Sequence, residues 1–256
     1  MATPVTPSAL PTPEPAANDN SFSRLIGAII SPKETFESIA RRPTWIVPVL
    51  LIVVFSLLLV FLFSQRVGWR SLIVRQDEQN SRVQKQMENM TVEQRDNMID
   101  TQTKFAAPFG YGVTLVGPFI ALVVVAAVLM LAFTIVLGTK VGFKQSMGIV
   151  SYSWTPGIIG VFLGILILYL KDPSTIDLEH LVATNAGAFL SDSAPKWLNT
   201  LLTSFDLFTF WNMILMAFGF SAIDPKKASW GKAFATVFAL WFIFVLVKTG
   251  FSAAFS

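Results

Sequence analysis

Two uncharged runs stand almost back to back in this chain and restrict its fold more than any other feature. Residues 113–137 and 147–170 are 25 and 24 positions long and hold no charged side chain. A helix needs roughly 20 apolar residues to cross a hydrocarbon core of about 30 Å. Both runs therefore read as membrane-spanning helices. The nine residues between them, 138–146, carry Lys140 and Lys144 and no acid. A short, purely basic loop belongs on the cytoplasmic side of a membrane.

The same reading extends to three further segments. Residues 45–64 form a span inside an uncharged stretch from Pro43 to Gln65, with Trp45 where an interfacial aromatic is expected. Residues 207–223 and 233–250 form two shorter spans, the last holding Lys248 near its far end, from where a lysine snorkels to the interface. The expectation is an all-α integral membrane bundle of five transmembrane helices preceded by an interfacial amphipathic helix. Composition agrees, since only 14% of residues are charged where a soluble domain carries about 25%. There is no cysteine, which removes disulfides, thiolate metal sites and cysteine nucleophiles. The net charge of +3 reports loop lysines, and nucleic acid is not an expected partner.

Outside the spans the chain divides clearly. Residues 1–20 hold five prolines and four alanines with no basic residue and read as a disordered tail. Residues 21–44 read as a cytoplasmic elbow. Ser31-Pro32-Lys33-Glu34 has the pattern of a capping box with proline at the first helical position. Phe36, Ile39 and Ala40 share one face of the next helix, and Leu25, Ile26, Ile29 and Ile30 form a stripe upstream. Arg24, Lys33, Arg41 and Arg42 are assigned to the polar side. This elbow either lies on the membrane or packs against the bundle, with equal weight for each. Residues 66–104 hold seven basic and six acidic residues and predict a helical excursion outside the bilayer. A break is expected before Thr91-Val92-Glu93-Gln94, a second capping box. Residues 196–205 suggest a short amphipathic helix leading into the fourth span.

Gly138 to Pro156, GTKVGFKQSMGIVSYSWTP, resembles the middle of the Yip1 family of polytopic membrane proteins, in its prokaryotic branch. Ser31-Pro32-Lys33-Glu34-Thr35-Phe36 resembles the family's opening motif, and Asp206-Leu207-Phe208-Thr209-Phe210-Trp211 its fourth-span start. The resemblance runs from about Phe22 to Gly250. It implies a non-enzymatic membrane-organising or adaptor role with no cofactor. Eukaryotic members serve vesicle trafficking and bind Rab-type GTPases. Their aspartate-leucine-tyrosine-glycine-proline element is missing here, which leaves a GTPase partner doubtful. The partners expected are the lipid bilayer and other membrane proteins, a second copy of this chain among them.

Orientation rests on the short loops. Basic residues total nine on one side and ten on the other, so raw numbers do not discriminate. The excursion is long and nearly neutral, and long loops count less. The two lysine-rich connections then fall inside, giving a multi-pass inner (plasma) membrane protein with a cytoplasmic N-terminus and an outer C-terminus. The resemblance implies the same arrangement.

The candidate packing or interaction positions are Gly138, Lys140, Lys144, Tyr152, Trp154, Pro156, Gly160, Gly164 and Asn212. Gly160 and Gly164 form a G-x-x-x-G pair that lets helices approach closely. Asn212 is the one strong amide within a span and is expected to bond a neighbouring helix. Gly117-Pro118 and Pro156-Gly157 read as packing kinks. Asp172, Asp177, Glu179 and the single histidine, His180, read as solvated loop charge rather than a cation site. No catalytic or metal-binding residue is assigned. A small-solute transporter or channel component is the alternative, disfavoured because the long uncharged runs keep no ionisable group at depth. A membrane enzyme acting on lipid is a third class, disfavoured because no catalytic cluster is present.

Overall fold

Eleven helices and one 3-10 turn make up the regular structure of the computed structural model, which describes residues 20–79, 81–173, 176, 181–191 and 194–255. Of the predicted disordered tail only Asn20 is among them. Asp177, Glu179 and His180 of the acidic loop also lie outside the described residues. Among the described residues the fold is all-α, a membrane helical bundle.

The elbow is two helices, α1 (Ser21–Ile30) and α2 (Pro32–Arg41). Asn20 caps α1 by accepting from the Ser23 amide. Ser31 does not make the predicted capping box. It caps the end of one helix and the start of the next, and its N–H already donates to Gly27 O at 2.8 Å. Glu34 therefore has no free amide to reach back to, and Pro32 supplies the helix start instead.

The two halves of the elbow behave differently. On α2, Phe36, Ile39 and Ala40 share the expected face and are buried, so this helix packs against the bundle. On α1 the predicted stripe splits. Leu25 turns inward with Arg24 and Ala28, while Phe22, Ile26 and Ile30 stand 64%, 63% and 76% exposed.

The first span is α3 (Ile46–Arg66). The excursion comes next as α4 (Trp69–Gln79) and α5 (Ser81–Glu88). The predicted break at Thr91 is present with both bonds of its capping box: Thr91 Oγ1 accepts from the Gln94 amide, and Gln94 Oε1 from the Thr91 amide. The helix that this cap opens is not confined to the excursion. Helix α6 (Val92–Leu137) is continuous for 46 residues, about 69 Å at 1.5 Å per residue. More than half of it exceeds a hydrocarbon core of about 30 Å. The charged side chains end at Lys104, but the helix runs on without a break.

Gly138 ends α6 with φ +63°, a left-handed cap that favours glycine. Helices α7 (Phe143–Ser153) and α8 (Thr155–Leu170) form the next span, broken at Trp154. After a 3-10 turn (Ala186–Phe189), α9 (Lys196–Thr203) leads to α10 (Leu207–Ile223) and α11 (Trp230–Phe255). Asp206 caps α10 by accepting from the Phe208 and Thr209 amides.

Helices α3, α6 and α11 and the paired α7–α8 are long and apolar enough to cross a membrane. At 17 residues α10 is shorter than these, yet it sits at the centre of the bundle against α2, α7, α8 and α11. Phe220 on α10 stacks on Phe133 of α6 at 4.2 Å between ring centres. Exposed Val, Leu, Ile and Phe side chains cover the outer faces of α3, α6, α8 and α11. Surface of that extent requires lipid as its solvent.

A candidate interaction site at the α7 junction

Helix α7 is the most enclosed helix among the described residues. Every residue from Ser146 to Ser153 is buried, against α2, α6 and α10. Close approach is made possible by glycine on both sides. A Cβ at Gly148 would lie 3.1 Å from Thr44 O and 3.3 Å from Ile39. A Cβ at Gly219 on α10 would collide with Ile149 and lie 2.9 Å from Phe36.

So many hydroxyls in an apolar core need partners, because an unpaired buried polar group costs about 1–3 kcal/mol. Each one here is satisfied. Ser146 donates to Ala126 O on α6 at 2.7 Å, Ser151 to Gly148 O at 3.0 Å and Ser153 to Ile149 O at 2.8 Å. Pro156 explains the break at Trp154. It has no N–H for the carbonyl of Tyr152, four residues back. Thr155 Oγ1 takes that place, donating to Tyr152 O at 2.6 Å.

Tyr152 is fully buried and links this junction to the elbow. Its hydroxyl shares a hydrogen bond with Thr44 Oγ1 at 3.1 Å and lies 3.5 Å from the Ser21 carbonyl. Arg24 completes the link. It is 5% exposed, and donates to Arg42 O at 2.7 Å and to Ser38 Oγ at 2.9 Å. Its assignment to a polar face is thereby corrected: the guanidinium turns inward because three oxygens from α2 and the α2–α3 link converge on it. Ser38, Thr44 and Ser146 were not singled out in the sequence, and Arg24 was placed on the wrong face. The only available signal was the spacing of Arg24, Leu25 and Ala28 on one face of α1.

The predicted positions do not form one site. Tyr152 and Pro156 are buried in the junction and Trp154 packs against its core. Gly160 faces Phe208 of α10, where a Cβ would lie 3.1 Å from the ring. Gly164 faces another way, toward Leu181 at 3.2 Å and Leu59 of α3 at 3.7 Å. The glycine pair thus serves two contacts within the bundle. Gly138, Lys140 and Lys144 are exposed at one end of it. Asn212 does not make the expected bond to a neighbouring helix. Its Oδ1 is buried with no hydrogen-bond partner among the described residues, since the adjacent faces of α10 and α11 are aromatic.

At the far end, α4 lies along the outer part of α6. Arg70 pairs with Asp96 and Asp100, and Trp69 meets Tyr111 edge-on. Arg75 donates to the carbonyls of Pro173 and Ile176. Asp77 is buried there, and loss of water raises its carboxyl above the usual 3.8, against a hydrogen bond from Gln102 that lowers it. Among the described residues no three acidic, histidine or cysteine side chains gather as a metal site. A groove along α6, between Pro108 and Val125, is almost wholly apolar and lined by that helix alone.

Comparison with known proteins agrees with the resemblance in the sequence. The profile of the Yip1 domain matches residues 26–250. Membrane protein YknW of Bacillus subtilis (strain 168) is 26% identical over 210 residues, which cover 80% of this chain and 81% of that protein. No solved structure matches the chain.

Proposed function

The chain belongs to the Yip1 domain family, and from that premise we propose that it is a non-enzymatic membrane-organising or adaptor protein of five spans. In this reading α10 is the fourth span and the N-terminus is cytoplasmic. The observation that carries the proposal is how the polar groups are used. Tyr152, Ser146, Thr155 and Arg24 are committed to hydrogen bonds within the bundle. They hold a fixed bundle and are not presented to a solute. What remains for partners is the exposed apolar surface and the part of α6 that projects beyond the bilayer, with α4 and α5 beside it. A trafficking-type role rests on the family resemblance alone.

Two experiments test this. Single cysteines placed in the cysteine-free chain report its topology. Gly142→Cys and Lys227→Cys should resist an impermeant reagent in intact cells, while Gln86→Cys and Ala186→Cys should react. Labelling of Gly142→Cys overturns the orientation. Purified protein in liposomes should pass no ion above the background of empty vesicles. The unpaired Asn212 Oδ1, with Thr249 Oγ1 on α11, favours a transporter. A selective flux abolished by Asn212→Leu would establish that class in place of the adaptor.

A further inference from the structure

Arg41, Arg42, Lys140, Lys144, Lys226, Lys227 and Lys232 come from three separate parts of the chain, and the fold gathers them at one end. Two contacts fix the gathering. Gln145 Nε2 donates to Ala40 O at 2.8 Å, which brings the end of α2 to the start of α7. Lys227 Nζ donates to Gly138 O at 2.7 Å, which brings the α10–α11 connection against the α6–α7 loop. All seven side chains are exposed. None has a carboxylate within ion-pair distance among the described residues. The acids nearby are Asp224, which accepts from the Lys227 amide, and Glu34 and Glu37 on α2. Positive charge therefore dominates this end and is not neutralised within the chain.

An apolar surface adjoins it. Arg24 ties α1 to the Arg42 carbonyl at 2.7 Å, so α1 stands beside the basic residues. Its outward face carries Phe22, Ile26 and Ile30, spaced four residues apart and exposed. A soluble acidic peptide or a nucleic acid would match the charge and leave that face uncovered. An anionic phospholipid matches both, with a phosphate headgroup for the cations and an acyl chain for the apolar face. We propose that this end of the bundle selectively binds anionic phospholipid, through Arg41, Arg42, Lys140, Lys144, Lys226 and Lys232 at the headgroup and through Phe22, Ile26 and Ile30 at the chain. The proposal rests on the membrane setting and not on the adaptor reading.

The test uses the full chain reconstituted in phosphatidylcholine vesicles. Tryptophan quenching by brominated phosphatidylglycerol is compared with quenching by brominated phosphatidylcholine, which gives a relative binding constant. The wild type should prefer the anionic lipid. Each lysine removed should lower that preference about five-fold, the effect of one charge at an anionic surface. The exposed pairs Lys140→Gln with Lys144→Gln, and Lys226→Gln with Lys232→Gln, test this independently. Lys171→Gln with Lys196→Gln, on the segment after α8, should leave it unchanged. Phe22→Ser with Ile26→Ser should weaken binding of both lipids. Equal quenching by the two lipids in the wild type overturns the proposal, as does an equal loss in the control pair. Competition by millimolar inorganic phosphate would assign the cations to a free anion, and saturation by a soluble oligoglutamate peptide would assign them to an acidic protein. Either result rejects the lipid.

Discussion

Helix α7 and the outer part of α6 are both helices in one continuous bundle, yet they are held by opposite means. Helix α7 is buried from Ser146 to Ser153, and its partners approach so closely that glycine is required at 148 and 219. Between residues 92 and 110 no position of α6 is buried. Its contacts with α4 include the Arg70 ion pairs, the Trp69 ring and the Asp77–Gln102 hydrogen bond. Within lipid the hydrophobic effect does not favour one apolar neighbour over another, so shape and satisfied hydroxyls decide the packing. In water, long charged side chains can do the work, and each contributes little.

The comparison predicts a graded series. Gly219→Leu should be the most damaging, because even a methyl at that position collides with Ile149 and crowds Phe36. Its cost should reach the upper end of overpacking, about 3 kcal/mol, read as earlier thermal aggregation in detergent. Gly160→Leu should cost about 1–3 kcal/mol, because it meets the Phe208 ring, while Val161→Leu should behave as wild type. Equal behaviour of those two would show that close approach at Gly160 does not matter. Tyr152→Phe keeps the buried ring and removes the bond to Thr44. It should cost about 1 kcal/mol and should speed hydrogen exchange in α1 more than in α8.

The outer limb should respond less. Arg70→Ala should cost well under 1 kcal/mol, since the pair is exposed. A loss as large as that of Gly160→Leu would break the comparison. Asp77 should show itself as a slope against pH. Burial raises its folded pKa above the usual 3.8, so the folded state holds its proton longer than the unfolded chain does. Stability from this group is fully present below that usual value and declines as pH rises through the raised one. Asp77→Asn should flatten the dependence of α4 hydrogen exchange over that window.

Much of the fold was legible from charge and length. The hairpin and its basic loop are set by where charge stops and starts, the capping box at Thr91 by its own four-residue pattern, and the shared apolar face of α2 by helical spacing. The parts that were not legible have a common cause. Inside lipid, the protein-facing and lipid-facing sides of a helix are both apolar, so hydropathy does not tell them apart. That is why the two glycines of the G-x-x-x-G pair turned out to serve different neighbours, and why the stripe on α1 split. The continuity of α6 was hidden for a related reason, because polarity changed at Lys104 and Pro108 and Pro118 follow it, yet the helix runs through both. Of the candidate site, Tyr152 and Pro156 were legible as residues, but Arg24 and Thr44 were not, since their roles depend on contacts far apart in sequence.

Phe36 also sets an order of events during synthesis. Its pocket is completed by Ile149 and Gly219, which are made long after it. At about 5–20 residues per second, α10 leaves the ribosome on the order of ten seconds or more after α2. Until then the apolar face of α2 has no finished partner, and the membrane surface is the available shelter. The elbow is therefore the first part of the domain to be made and among the last to reach its final place.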